Sequence, residues 1–386
     1  MFHYADYIIF LLFLIVSLAI GLYHAYKSRK NKSADEFLMG NRKLHLFPVS
    51  VSITLSFISA VLVLGQPAEV HTRGTQFAMV ICGIWIGSII SAIVIVPLFY
   101  NLRVTSSYEY LEKRFKSEGV KLVGSITMIV YMVFYLGVVL YGPSVALEGV
   151  TNIPMWVFIV LSSVIATVYT TLGGMKAVIW TDVFQGLCLI TGMVAIVIQG
   201  SIVTGGPSVI WQRNIAMNRL ELFNMDPNPA LRTTFWSAFI NGIFVSFYNF
   251  GIGQTTVQRY CGLDSLAKAR WSLIINAILM TLILGIVTAV GMVVFAYYDV
   301  IGCDPIRAKL ITTPNQLLPH FIMDVLNYPG FPGLFISVLY GGALSTVSSS
   351  LNSLAAVCYN DLLKKFLQRR NFSDSRKTLA TKILGR

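Results

Sequence analysis

Residues 46–65 read LFPVSVSITLSFISAVLVLG, an apolar run with a hydroxyl at nearly every second position of its first half. A bilayer core about 30 Å thick is crossed by roughly 20 helical residues, so the run is long enough to span a membrane. Polar side chains at that depth are tolerated where they face a cavity or packed protein. The stretch therefore predicts a membrane helix with a polar, buried face.

Two later apolar runs carry similar polar interruptions. The run 234–253 contains Asn241, Asn249 and Gly251, and Gln254 follows it directly. The run 332–363 carries a glycine pair followed by hydroxyl and amide side chains: Gly341, Gly342, Ser345, Thr346, Ser348, Ser349, Ser350 and Asn352. Interrupted helices in corresponding positions of two halves are typical of a transporter's binding site. We therefore expect interruptions in all three runs, with a site between them.

Nine apolar stretches are long enough to cross the membrane. They lie near 4–26, 46–65, 78–100, 122–147, 153–171, 178–203, 234–253, 272–298 and 332–363. The whole chain has 386 residues, of which 55% are hydrophobic and only 12% charged. Soluble domains usually carry about a quarter charged residues. The composition predicts one transmembrane domain over residues 1–386.

The basic residues indicate how the chain is oriented. With the N-terminus outside, most of the 29 Lys and Arg, Arg259 among them, fall in predicted cytoplasmic segments. Such a bias over short loops follows the positive-inside rule. The net charge of +12 is therefore a topology signal and not a nucleic-acid-binding face. We expect a multi-pass plasma-membrane protein with a cytoplasmic tail at 364–386.

The sequence does not favour an enzymatic function. No nucleophile–base pair, metal motif or pair of acids within the membrane is evident from the sequence. The five cysteines have no metal-ligand spacing, and the five histidines do not cluster. We expect neither a catalytic residue nor a metal other than sodium.

Six blocks of sequence, in order along the chain, resemble the sodium:solute symporter family. This family includes the sodium/glucose, iodide, multivitamin and monocarboxylate cotransporters. The blocks are Asp35–Arg42, Pro48–Val70, Tyr141–Thr151, Tyr169–Gln185, Gln254–Tyr260 and Leu344–Ser353. They are most similar to the branch that carries iodide, vitamins and monocarboxylates, and less similar to the sugar branch.

The resemblance implies an all-α fold with two inverted repeats of five helices. An extra helix at 4–26 precedes the first repeat at 46–203, and 234–363 forms part of the second repeat. On this scheme the run 46–65 is core helix one and the run 332–363 is core helix eight. Core helices nine and ten are missing, so we expect an incomplete second repeat and a chain truncated at its C-terminus.

The resemblance also implies a sodium site. Sodium needs several oxygen ligands, which hydroxyls and carbonyls freed by a helix break supply. Ser345 and Thr346 offer adjacent hydroxyls, and family position implies the carbonyls of Leu55, Ile58 and Gly342. Such a site needs no carboxylate, and we expect no well-buried acid. The alternative is that this serine-rich run only allows close helix packing.

Family position further implies a substrate site at Phe57, Leu62, Tyr141 and Gln254. The alternative for each residue is ordinary packing in a membrane helix. The resemblance assigns Asp182 a role in sodium coupling through a cytoplasmic charge network. The alternative is a helix-start carboxylate favoured by the helix dipole.

The resemblance implies sodium-coupled symport of a small organic anion across the lipid bilayer. Monocarboxylates are the preferred substrate class, and biotin- or pantothenate-like vitamins and iodide are the alternatives. A second hypothesis is that the chain does not transport. It would then be a truncated isoform or fragment of such a symporter that associates with a full-length transporter.

Overall fold

A computed structural model describes residues 3–27, 34–151 and 153–364. Apart from Lys364, the predicted tail lies outside these residues. The helices are α1 (Tyr4–Lys27), α2 (Ala34–Met39), α3 (Leu46–Phe57), α4 (Ala60–Arg73), α5 (Val80–Ile90), α6 (Val96–Asn101), α7 (Glu109–Phe115), α8 (Glu118–Thr151), α9 (Met155–Thr204), α10 (Pro207–Ala216), α11 (Phe235–Ser246), α12 (Gln254–Tyr260), α13 (Leu266–Ile301), α14 (Leu317–Asp324) and α15 (Phe331–Val357). Wider π-helical turns extend α5, α11 and α15 at Ser91–Ile95, Phe247–Ile252 and Cys358–Leu363. The all-α prediction is confirmed.

Within the described residues, seven helices are long and apolar enough to cross a membrane, or eight if the bent pair α3–α4 is one span. One of the seven, α9, has 50 residues and would be about 75 Å long if straight, more than twice the bilayer core. It is broken at Gly174, where φ is 61° and ψ is −156°. With α9 counted as two crossings, these helices account for the nine predicted ones.

The break in α9 requires a glycine for two reasons. A positive φ is strained for residues that carry a Cβ. A Cβ at Gly174 would also lie 2.6 Å from the carbonyl oxygen of Phe37 in α2. The short helix α2 therefore packs against the point where α9 turns back into the membrane.

Two of the three predicted interruptions are present. The helices α3 and α4 meet at an angle of 63°, with non-helical backbone at Ile58 and Ser59. The π-helical turn after α11 is separated from α12 by Gly253, whose ψ is 130°. The third prediction was wrong, because α15 runs without a break through Gly341 and Gly342.

The helix α15 occupies the centre of the bundle, and 23 of its 27 residues are buried. The N-terminal helix α1 packs against it and fixes its first turn. The Asp6 side chain accepts hydrogen bonds from the backbone N–H groups of Gly330 and Gly333, both at 3.0 Å. These bonds satisfy N–H groups that lack a partner within the helix. The extra helix therefore caps core helix eight from outside the repeat.

Candidate functional site

The break between α3 and α4 lies directly against α15. A Cβ on Gly342 would be 3.1 Å from the Ile58 carbonyl oxygen and 3.2 Å from the Ala60 backbone nitrogen. On the next turn of α15, the Thr346 hydroxyl donates to the Gly342 carbonyl at 3.0 Å. The structure thus brings the predicted residues Ile58, Gly342 and Thr346 to one junction.

Ser345 and Leu55 are the other two predicted sodium ligands. The Ser345 hydroxyl donates to Asp182 Oδ1 at 2.7 Å, which leaves the lone pairs of its oxygen free. Leu55 lies in the last turn of α3, whose final four carbonyls have no partner within that helix. One turn from Ser345, the hydroxyls of Ser56 and Ser349 share a hydrogen bond of 2.8 Å that fastens α3 to α15. The five predicted residues therefore belong to the last turn of α3, the α3–α4 break and two adjoining turns of α15.

Asp182 lies at this junction, where it accepts a hydrogen bond from Ser345. Its side chain is 0% exposed, and its Oδ2 accepts a hydrogen bond of 2.5 Å from Ser52. The expectation of no well-buried acid was therefore wrong. The reason is that Asp182 lies two turns beyond the Gly174 break, on the half of α9 that packs against α3 and α15.

Arg259 is the residue that sequence reasoning missed. The sequence places it in a predicted cytoplasmic segment, but in the structure its side chain is 0% exposed. Its guanidinium donates to Ser52 Oγ at 2.7 Å, to the Thr255 carbonyl at 2.8 Å and to Ser349 Oγ at 2.5 Å. A buried carboxylate needs a partner, so Asp182 within an apolar run was the available indication of a buried cation elsewhere.

A cavity of about 700 Å³ lies beside the α3–α4 break. Phe57, Leu62 and Gln254, three of the four residues predicted for a substrate site, line it. The wall also includes tyrosine and amide side chains: Tyr108, Tyr131, Tyr135, Asn241, Tyr248 and Asn249. Among the described residues that form this wall, none carries a charge. The cavity is thus mainly apolar, with hydroxyl and amide groups as its polar contacts.

Two of the predicted substrate residues differ from the other two: Gln254 makes further hydrogen bonds, and Tyr141 lies outside the cavity wall. The Gln254 amide accepts from the Ser107 backbone N–H at 2.7 Å and donates to the Thr105 carbonyl at 3.0 Å. It therefore holds the segment before α7 against α12 while it lines the cavity. Tyr141 is 56% exposed and is not part of the cavity wall, because α8 presents its earlier turns, including Tyr131 and Tyr135, to the cavity.

The family model that describes the sodium:solute symporter family matches residues 37–384. Sodium-coupled monocarboxylate transporter 1 of Xenopus laevis is 41% identical over 378 residues, which are 98% of this chain and 60% of that protein. The sodium-dependent multivitamin transporter of Oryctolagus cuniculus is 39% identical, covering 94% of this chain and 57% of its own length. For the sodium/iodide cotransporter of Homo sapiens the identity is 38%, and the coverage is 94% and 56%. The chain thus spans about 60% of the length of these relatives.

A solved structure has the same fold. A sodium-coupled sialic acid symporter in a substrate-bound, outward-open state superposes with a TM-score of 0.89 and 28% identity, covering 100% of this chain and 80% of that one. This likeness confirms the predicted inverted-repeat symporter fold over the described helices. The family match and the similarity to its members together establish that the chain belongs to the sodium:solute symporter family.

Proposed function

We propose that this chain is a sodium-coupled secondary active symporter of small organic anions, with monocarboxylates as its preferred substrates. The observation that carries the proposal is the junction of the α3–α4 break with Gly342, Ser345 and Thr346. This junction offers hydroxyl oxygens next to freed backbone carbonyls, which are the ligands that discontinuous helices supply to sodium.

The proposed sodium site lies between α15 and the α3–α4 break. Its ligands are the hydroxyls of Ser345 and Thr346 and the backbone carbonyls of Leu55, Ile58 and Gly342. The hydroxyl protons of both residues already have acceptors, so their lone pairs are available to a cation. Bound sodium holds the break against α15 and favours the outward-open state. The membrane potential adds about 2.3 kcal/mol per charge per 100 mV to the driving force.

The cavity beside the break is the proposed substrate site. Ser56 and Phe57 line it and directly follow Leu55, so a substrate there contacts the same turn of α3 that contributes to the ion site. Its wall suits an anion with a single carboxylate and an apolar body, which hydroxyl and amide donors hold without an ion pair. The names of the relatives refer to monocarboxylates, to vitamins or to iodide. Vitamins and iodide remain the alternative substrates.

We also propose a plasma-membrane location with the N-terminus outside and the C-terminus in the cytoplasm. The distribution of basic residues between the crossings supports this orientation.

The test is uptake of labelled monocarboxylates, biotin, pantothenate and iodide by cells that express this chain, with surface expression measured in parallel. We expect sodium-dependent monocarboxylate uptake that is lost in the double variant Ser345→Ala/Thr346→Ala. Ser337→Ala is the matched control, since its hydroxyl bonds the Gly333 carbonyl two turns from the site on the same helix. No uptake by a chain that reaches the surface would contradict the proposal. Uptake that appears only with a co-expressed full-length relative would instead support the partner role.

A further inference from the structure

The buried pair of Asp182 and Arg259 is loosely joined. The hydrogen bond from the guanidinium to the carboxylate, from Arg259 Nη2 to Asp182 Oδ2, is long, at 3.5 Å. Strong arginine–carboxylate pairs form two parallel bonds of about 2.7–2.9 Å. The closest partners of Asp182 are instead the hydroxyls of Ser52 and Ser345, at 2.5 Å and 2.7 Å. The guanidinium neutralises the carboxylate without using all of its hydrogen-bonding capacity.

The carboxylate lies between the guanidinium and the proposed sodium site. Its Oδ2 faces Arg259 and Ser52, and Ser52 donates to Asp182 while accepting from Arg259 Nε at 2.7 Å. Its Oδ1 faces Ser345, a proposed sodium ligand. The guanidinium, fixed to α12, and the proposed sodium site therefore lie at different oxygens of one carboxylate.

We propose that Arg259 is a built-in competitor of the transported sodium ion. This inference rests on the sodium site of the proposed function and assigns a new role to a residue outside it. When the site is empty, the guanidinium balances Asp182, which would otherwise be a buried and unpaired charge. When sodium binds, the buried cluster holds two cations and one anion, so Arg259 lowers the affinity for sodium and favours its release.

A purely structural role for Arg259 gives a different expectation. The guanidinium also connects α12 to α3 through Ser52 and to α15 through Ser349. If this connection were its only role, removal of Arg259 would lower the stability equally at every sodium concentration. If Arg259 competes with sodium, its removal instead lowers the sodium concentration at which the increase in stability is half of its maximum.

The experiment is thermal unfolding of the purified chain in detergent, over a series of sodium chloride concentrations balanced with choline chloride. Sodium that binds the folded state raises Tm. We expect the half-maximal sodium concentration to fall by about tenfold in Arg259→Gln, because a nearby buried cation is removed. Arg259→Lys keeps the positive charge and is the matched control, with a midpoint close to that of the unaltered chain.

A second comparison covers the case in which Arg259→Gln does not fold because Asp182 is left unpaired. Asp182→Asn/Arg259→Gln removes both buried charges, and it is compared with Asp182→Asn alone. We again expect the lower sodium midpoint in the chain that lacks Arg259.

Equal midpoints with and without Arg259, in both backgrounds, would overturn the inference and leave the sodium site standing. A chain whose Tm responds to sodium in none of the variants would contradict the proposed sodium site itself, and the competition with it.

Discussion

Gly342 allows α15 to approach the α3–α4 break closely, because it has no side chain. An added Cβ would meet three backbone atoms, the Ile58 oxygen at 3.1 Å, the Ala60 nitrogen at 3.2 Å and the Ser59 carbonyl carbon at 3.3 Å. None of these atoms can move without shifting the break by a few tenths of an ångström. The geometry of the proposed sodium ligands therefore depends on the absence of a side chain at this position.

We predict that Gly342→Ala raises the sodium concentration for half-maximal uptake by about threefold to tenfold, since displaced ligands lose part of their interaction with the ion. The measurement is the sodium dependence of uptake at a fixed substrate concentration. Gly341→Ala is the control, because its added Cβ would have no neighbour closer than 3.4 Å. Equal sodium dependence in the two variants would contradict the assignment of the break to the ion site.

The residues of the site differed in how far they could be predicted. Ser345 and Thr346 are adjacent hydroxyls in a long apolar run, and the resemblance to the family indicates them as candidate sodium ligands. Asp182 and Arg259 are 77 residues apart, and each lies near the end of an apolar stretch. Charges at such positions normally indicate loops. Their burial depends on the Gly174 break and on the packing of α12, which no local pattern encodes.

At the scale of elements, similar sequences form different helices. Both α3 and α15 are rich in hydroxyls that bond the carbonyl four residues earlier, as Thr54 does to Ser50 and Thr346 to Gly342. Yet only the first of these helices breaks. Composition therefore predicted that both helices are polar and buried, but not which of them is interrupted. The difference lies in tertiary packing, where the break is in close contact with α15 at Gly342.

Long-range caps are a second feature that the sequence did not reveal. Asp6 accepts from the first turn of α15, more than 320 residues along the chain. A capping residue is normally recognised because it directly precedes its helix. Here the preceding residue is Gly330, and the cap comes from α1. The contact explains how a helix outside the repeats contributes to the position of core helix eight.

At the scale of the whole molecule, composition and the spacing of apolar runs predicted an all-α bundle with nine crossings. Hydrophobic length is a direct physical requirement of the bilayer, so it is visible without any tertiary information. The orientation of the bundle follows from a weaker rule, the distribution of basic residues, and it is open to a simple test.

Cys303 provides a natural probe of that orientation. It is an exposed free cysteine just after α13, in a segment predicted to lie outside the cell. We predict that a membrane-impermeant maleimide added to intact cells labels the chain, and that Cys303→Ser removes this labelling. Labelling at Cys303 only after the cells are permeabilised would reverse the orientation.

The most direct test of the sodium site is the binding of radioactive sodium to the purified chain, measured without any substrate. We predict saturable binding that Ser337→Ala leaves intact and Ser345→Ala/Thr346→Ala abolishes. Saturable binding that persists in the double variant would contradict a sodium site between α15 and the α3–α4 break.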